Sequence, residues 1–184
     1  GTREPLHLLG WCVRGAKQNS CALVSNPFYH AWRAGALASG GQIVYINASA
    51  ETGFLPSLDS LDEATLSRCT ILILCTPTNP HGMIALPDYI AKALQLARQF
   101  NFLLVVDECY VDIWRQTCPT SALEVANQMP APGDEPFANL VVLNSLSKRS
   151  NAAGLRAGFL CGDKALIAAY KLVVANGGAS IFRT

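Results

Sequence analysis

Short apolar segments alternate along the chain with longer segments whose apolar positions recur every three to four residues. The short segments are rich in β-branched residues, and several are apolar on both faces, as in Thr70–Thr76 and Phe102–Glu108. Such strands are typical of a mostly parallel sheet that is covered by helices on both sides. The pattern predicts six strands, at Ser20–Ser25, Gln42–Ala48, Thr70–Thr76, Phe102–Glu108, Asn139–Ser145 and Ala157–Cys161.

The longer segments predict helices between these strands. They lie at Thr2–Gly15, Phe28–Ser39, Pro87–Phe100 and Asp163–Ala175. Pro87 suits a first helical turn and Asp163 suits an N-cap, whereas Gly10 weakens the prediction for the opening segment. Met129–Pro136 is rich in proline and predicts an exposed loop. The alternation predicts an α/β fold with three αβα layers.

Composition excludes several classes of protein. The chain has 184 residues, 51% of them hydrophobic, and a net charge of +1, which argues against a nucleic-acid binder. Only 15% of the residues are charged, so part of the surface is expected to be covered by something else. Its seven cysteines include no CxxC pair, which argues against a zinc site and favours a reducing cytoplasm. No apolar segment is long enough to span a membrane.

Polar side chains cluster where the predicted strands end. Asn79 follows the third strand, and Asp107 ends the fourth. Lys148 follows the fifth strand, between hydroxyl residues and ahead of Arg156. Ligands bind at the carboxyl ends of strands in parallel sheets, so these residues are candidates for one site. Each residue alone has an ordinary explanation as a turn, cap or loop residue, but their joint placement does not.

Five segments resemble the successive motifs of the class I and II aminotransferases, which are pyridoxal phosphate enzymes of fold type I. In chain order these are GTRE, NPFYHAW, TPTNPHG, VVDECY and NSLSKRSNAAGLRAGF. Their order and spacing match the family along essentially the whole chain. NPFY, NASAETGFLP and SLSKRSNAAGLRAGF most resemble the branch that acts on N-succinyldiaminopimelate in lysine biosynthesis.

The resemblance implies pyridoxal 5'-phosphate as the cofactor and gives residues roles at its ring. Lys148 would bond to the cofactor aldehyde and later act as the base that moves the substrate proton. Asp107 would pair with the protonated ring nitrogen. Tyr110 and Asn79 would donate to the phenolic oxygen of the ring, and Tyr29 would stack on its face.

A phosphate site is implied by the same resemblance. Arg156 would bind the phosphate through its guanidinium fork. The hydroxyl groups of Ser145 and Ser147 would donate to it, and the backbone N–H groups of Thr2 and Arg3, at a helix start, would complete the site.

Four further residues receive no cofactor role from the resemblance. His81 stands where the family commonly has threonine, and we expect a tolerated loop substitution rather than a pocket residue. Trp32 and Trp114 fit either core packing or a substrate pocket. Cys109 is expected to point into the core.

By resemblance, the chain is one domain, residues 1–184, corresponding to the large cofactor-binding domain of a longer enzyme. An N-terminal segment would precede it, and a C-terminal small domain would supply the arginine for the substrate α-carboxylate. The full enzyme would be a homodimer whose partners are small-molecule amino-acid and keto-acid substrates, and this domain alone would be inactive.

Three alternatives remain open. The same cofactor residues serve a carbon–sulfur β-lyase or a decarboxylase on this fold, because they hold the cofactor and do not choose the bond that breaks. A third possibility is the aminotransferase-like sensor half of a bacterial transcription regulator.

Overall fold

A six-stranded sheet forms the centre of the computed structural model, which describes residues 1–177. Its strands are β1 (Cys21–Asn26), β2 (Gln42–Asn47), β3 (Cys69–Cys75), β4 (Leu103–Asp107), β5 (Leu140–Ser145) and β6 (Gly158–Gly162). The order across the sheet is β2-β1-β3-β4-β5-β6, and only β6 is antiparallel to its neighbour. All six predicted strands are confirmed, and each end lies within one residue of its prediction.

Seven α-helices connect or flank the strands in the described part of the chain. They are α1 (Arg3–Cys12), α2 (His30–Ala38), α3 (Glu63–Arg68), α4 (Pro87–Phe100), α5 (Ala122–Gln128), α6 (Leu146–Arg149) and α7 (Lys164–Gly177). The four predicted helices are confirmed as α1, α2, α4 and α7. The pattern missed α3, α5 and α6, which have six, seven and four residues and are too short to show a helical period.

The helices form two layers, as the α/β prediction requires. Alternate side chains of a strand face opposite sides of the sheet. Leu72 and Leu74 of β3 pack with residues of α3, α4 and α5, whereas Ile71 and Ile73 pack with residues of α1 and α2. Helix α7 lies against α1 on that second side. The three-layer αβα prediction is therefore confirmed.

Two glycines allow α1 and α2 to cross closely. A Cβ atom on Gly10 would lie 2.1 Å from the carbonyl oxygen of Gly35. A Cβ atom on Gly35 would lie 2.4 Å from the carbonyl oxygen of Leu6. Gly10, which weakened the helix prediction, is therefore explained by this crossing, which sets how α1 lies on the sheet.

Asp163 joins the start of α7 to the sheet. Its Oδ1 accepts hydrogen bonds from the backbone N–H groups of Ala165 (2.8 Å) and Leu166 (3.0 Å), which confirms the predicted N-cap. Its Oδ2 accepts from the backbone N–H of Asn139, just before β5. The predicted loop at 129–136 contains no helix or strand. Within residues 1–177, no helix has the length and apolarity needed to cross a membrane.

Candidate active site

A cavity of about 240 Å³ opens at the carboxyl ends of the central strands. The structure brings all ten predicted site residues to its wall, namely Thr2, Arg3, Tyr29, Asn79, Asp107, Tyr110, Ser145, Ser147, Lys148 and Arg156. They come from five separate parts of the chain, and three further residues, Trp32, Cys109 and Ala153, complete the lining. Parallel strand order explains the convergence, because β1, β3, β4 and β5 all end at this edge.

Asp107, at the end of β4, supplies a buried carboxylate with 4% exposure. Its Oδ2 accepts a hydrogen bond from Trp32 Nε1 at 3.0 Å, and its Oδ1 accepts one from the backbone N–H of Cys109 at 3.3 Å. Burial raises the pKa of Asp107, and these two donors oppose that rise. Among residues 1–177 the carboxylate has no cationic partner, so it suits a positively charged group on a ligand.

Trp32 is the most important site residue that sequence analysis did not assign. Its ring is almost fully buried between α2, the helix that carries it, and the rest of the protein. Its one polar atom, Nε1, donates to Asp107. The ring also meets the edge of Tyr29, with centroids 5.9 Å apart, and Tyr29 lines the cavity. A signal existed in the sequence, because a buried indole N–H requires an acceptor. The choice of acceptor was not visible, since Asp107 lies 75 positions away.

Lys148 lies on the short helix α6, directly after β5. Its Nζ is 5.7 Å from the centroid of the Tyr110 ring, within reach of a cation–π contact. No carboxylate among the described residues pairs with it. Burial raises the pKa of the Tyr110 phenol, which therefore stays a hydrogen-bond donor at neutral pH. A free amine and a phenol thus face the same cavity.

Hydroxyl groups and a guanidinium group gather at one side of the cavity. Ser145 Oγ lies 2.9 Å from Ser147 Oγ and accepts from the backbone N–H of Ser147 at 3.1 Å. Arg156 also lines this side, and its backbone has a φ of +52°. A left-handed conformation costs a non-glycine residue about 1–2 kcal/mol. Arg156 Nη1 donates to the carbonyl of Ala153 at 3.0 Å, which fixes the guanidinium near the cavity.

The start of α1 and the segment after β4 meet at the cavity. Helix α1 begins at Arg3, so its first N–H groups, including those of Thr2 and Arg3, lie at the cavity edge. The Arg3 side chain itself is hydrogen-bonded to the His30 ring. Thr2 Oγ1 lies 3.3 Å from Cys109 Sγ.

The prediction that Cys109 points into the core is wrong. The strand β4 ends at Asp107, so the alternation of side chains does not continue to Cys109, which instead lines the cavity. Burial raises the pKa of the Cys109 thiol to about 12, and the thiol is neutral at physiological pH.

Asn79 lies on the loop after β3, and two threonine hydroxyl groups stabilise this loop. Thr78 Oγ1 accepts from the backbone N–H of Met83 at 2.9 Å, and Thr76 Oγ1 accepts from that of Ala85 at 3.0 Å. His81 packs against the Phe54 ring, with centroids 4.9 Å apart, and does not line the cavity. The loop therefore holds Asn79 at the cavity without help from His81.

Trp114, which the sequence left open between packing and a pocket, is half exposed and lines a larger cavity of about 820 Å³ beside the first. Trp32, by contrast, is both packed and part of the site. The two tryptophans therefore have different environments.

Comparison with known proteins agrees with this geometry. The family model for aminotransferase class I and II matches residues 6–180. A curated relative, LL-diaminopimelate aminotransferase of Desulforudis audaxviator, is 27% identical over the whole chain, which covers 44% of that protein.

Solved structures give the same result. An aminotransferase from Neisseria meningitidis superposes with a TM-score of 0.87 and 32% identity, over 98% of this chain and 45% of that one. A probable N-succinyldiaminopimelate aminotransferase from Thermus thermophilus gives a TM-score of 0.80 and 27% identity, over 95% and 44%. The chain thus spans less than half the length of these relatives.

Proposed function

Because the chain belongs to the class I and II aminotransferases, we propose that the full-length protein transfers an amino group between an amino acid and 2-oxoglutarate. The single observation that carries this proposal is that three kinds of functional group line the same cavity. The cavity combines the Lys148 side chain, the buried Asp107 carboxylate and a cluster of hydroxyl groups near Arg156. In the described part of the chain, neither Lys148 nor Asp107 has an ion-pair partner.

Pyridoxal 5'-phosphate is the cofactor that this donor set fits, and the family generally depends on it. When bound, it supplies an electron sink for the bonds at the substrate Cα. Asp107 is suited to its pyridinium nitrogen, because a buried carboxylate without a cation gains most from a positive partner. Tyr110 and Asn79 would donate to its phenolic oxygen, and Tyr29 would cover one ring face.

The phosphate group would be held where Arg156, Ser145 and Ser147 line the cavity. Arg156 would provide two parallel N–H donors, and Ser145 and Ser147 would provide hydroxyl groups. The first N–H groups of α1, from Thr2 and Arg3, would add the positive end of a helix dipole. These contacts bind and orient the cofactor but do not select the reaction.

Lys148 would take part in the chemistry itself. Its amine would hold the cofactor between turnovers, and it would then carry the proton that leaves and returns at the substrate. The neighbouring Tyr110 ring restricts where Nζ can lie. Trp32 would act indirectly, by fixing the orientation of Asp107.

We infer that N-succinyldiaminopimelate is the amino donor, in the lysine and diaminopimelate pathway. The named T. thermophilus structure and the resemblance of the NPFY and SLSKRSNAAGLRAGF segments support this choice. LL-diaminopimelate is the second candidate, since several curated relatives carry that name. We also propose a homodimer in the cytoplasm, which follows from the family and from the cysteine usage.

A glutamate half-reaction on the full-length protein tests the proposal. Visible absorbance of bound cofactor should fall when glutamate is added without a keto acid, and borohydride reduction followed by peptide mapping should place the cofactor on Lys148. Lys148→Ala should abolish both signals, and Lys164→Ala, an exposed position at the start of α7, is the matched control. Mapping to Lys17, Lys92, Lys164 or Lys171 would contradict the assignment. A bound cofactor that glutamate does not change would favour the lyase or sensor alternative.

A further inference from the structure

A second cavity lies beside the first, and the two cavities share part of their walls. Asn79 and Tyr110 line both, and the larger cavity has a volume of about 820 Å³. One wall is the loop after β3, and the other is the segment that follows Tyr110. The larger cavity therefore offers space for the side chain of a substrate whose reacting carbon lies in the smaller one.

The larger cavity combines apolar walls with one charge. Ile84, Ile113 and Trp114 provide large apolar surfaces that are at least 39% exposed. Among the described residues that line it, Arg115 is the one ionised side chain, and none is a carboxylate. Within residues 1–177, Arg115 takes part in neither of the two ion pairs. The nearby Asp112 carboxylate lies 3.5 Å from Arg149 Nε and accepts from Asn144, so it is already engaged elsewhere.

This arrangement favours a ligand carboxylate over a ligand ammonium. A guanidinium fork matches a carboxylate, whereas a ligand ammonium in the same cavity would meet Arg115 and no anion. Desolvating an ammonium without a partner is unfavourable, so the cavity discriminates against it. The apolar walls suit the methylene groups between the two ends of a long side chain.

We propose that Arg115 is a specificity-determining residue that binds the distal carboxylate of the amino-acid substrate. The substrate class that fits is a long amino acid whose far end is anionic and carries no free ammonium, such as an acylated diamino acid. This inference rests on the proposed function and deepens it, because it favours N-succinyldiaminopimelate over the free LL-diaminopimelate, whose far end carries both charges.

Two pairs of amino donors test the charge preference in the full-length enzyme. 2-Aminoadipate and 2-aminohexanoate have the same chain length and differ in the terminal carboxylate. N-succinyldiaminopimelate and LL-diaminopimelate differ at the distal nitrogen, where an amide and an added succinyl carboxylate replace the ammonium. The wild-type enzyme should prefer the first member of each pair in kcat/KM.

Arg115→Gln should raise KM for 2-aminoadipate and N-succinyldiaminopimelate by about tenfold, the effect of one charge-assisted hydrogen bond in a solvent-open site. It should leave kcat nearly unchanged and leave 2-aminohexanoate unaffected. Arg115→Lys should restore part of the loss. Arg33→Gln, an exposed arginine on α2 that bonds to Tyr45, is the matched control.

The outcomes separate the two proposals. A wild-type preference for 2-aminohexanoate or for LL-diaminopimelate would overturn the role of Arg115. So would an Arg115→Gln variant that changes KM equally for 2-aminoadipate and 2-aminohexanoate. A wild-type enzyme that transaminates no amino donor would overturn the proposed function itself.

Discussion

Asp107 and Glu108 are adjacent carboxylates of equal burial, 4% and 3% exposed, that serve opposite layers of the molecule. Successive side chains near a strand end point to opposite faces. Asp107 turns toward α2 and lines the cavity, where it accepts two hydrogen bonds from neutral donors. Within residues 1–177 it has no cationic partner. Glu108 turns toward α5, where Ser121 Oγ (2.9 Å) and the backbone N–H of Ala122 (2.7 Å) donate to it.

The difference shows that burial alone does not identify a functional carboxylate. Glu108 is satisfied by the protein itself, because it caps the first N–H of α5. Asp107 is held by the protein but faces a cavity that a ligand can fill. We therefore expect substitutions at Asp107 to act mainly on activity and substitutions at Glu108 to act mainly on stability.

The largest expected effect is that of Asp107→Asn on activity. Asparagine still accepts the Trp32 hydrogen bond but carries no charge for a pyridinium nitrogen. The rate of the glutamate half-reaction should fall by roughly 100- to 1,000-fold, as when one preorganised electrostatic group is removed. The Cys109 N–H would lose its acceptor, but the protein would no longer bury a charge, so the free energy of unfolding of the cofactor-free protein should change by less than about 1 kcal/mol. Near wild-type activity would remove Asp107 from the site.

Glu108→Ala should lower stability and leave activity nearly unchanged, the reverse of Asp107→Asn. The hydroxyl of Ser121 and the N–H of Ala122 would lose their buried acceptor, which costs about 1–3 kcal/mol in the free energy of unfolding. Urea unfolding of the full-length protein measures this loss, and the half-reaction rate of the folded variant should stay close to wild type. Glu108→Gln keeps an acceptor oxygen and is the matched control. If both variants were equally unstable, the capping role would be wrong.

A third test uses pH. Burial raises the pKa of Glu108 to about 7 from its ordinary value near 4.5. Between these values the folded protein holds a proton that the unfolded chain has lost, so the contribution of Glu108 to stability falls as pH rises. Glu108→Gln lacks this titration. As pH rises across that window, its free energy of unfolding should increase relative to that of the wild type by up to about 1.4 kcal/mol per pH unit. Urea unfolding at pH 5, 6, 7 and 8 measures the gain, and parallel profiles for the two proteins would contradict it.

The fold was largely predictable because its strands are buried on both faces. β3 and β4 are continuous apolar runs, and no other element type fits such short runs between turn signals. The parts that could not be predicted depend on distant contacts. Gly10 argues against a helix when α1 is considered alone, and its purpose becomes visible only where the helix meets Gly35. Helix α5 begins where Ser121 and Glu108 cap it, a pairing across 13 positions.

The candidate site was predictable for a related reason. Asn79, Asp107 and Lys148 each follow a strand, and parallel strands bring their ends together. No such rule applies to Trp32, which lies within a helix, or to Cys109, which comes after the strand alternation stops. Both contacts of the Asp107 carboxylate were therefore missed, although the carboxylate itself was not.

The smallest expected effect isolates one of those contacts. Trp32→Phe keeps a large buried ring but removes the N–H that donates to Asp107 Oδ2. Asp107 would retain the Cys109 N–H, so its ionised form should be weakened and not lost. We expect about a tenfold slower half-reaction, the effect of one hydrogen bond to a charged group. Because that donor lowers the pKa of Asp107, its removal should also move the acid limb of the pH–rate profile to higher pH.

Trp11→Phe, which removes an exposed tryptophan hydrogen bond to His7, is the control and should change neither the rate nor the acid limb. A slower Trp32→Phe enzyme with an unshifted acid limb would mean that Trp32 acts through packing alone, and the contrast between the carboxylates would then not depend on this donor.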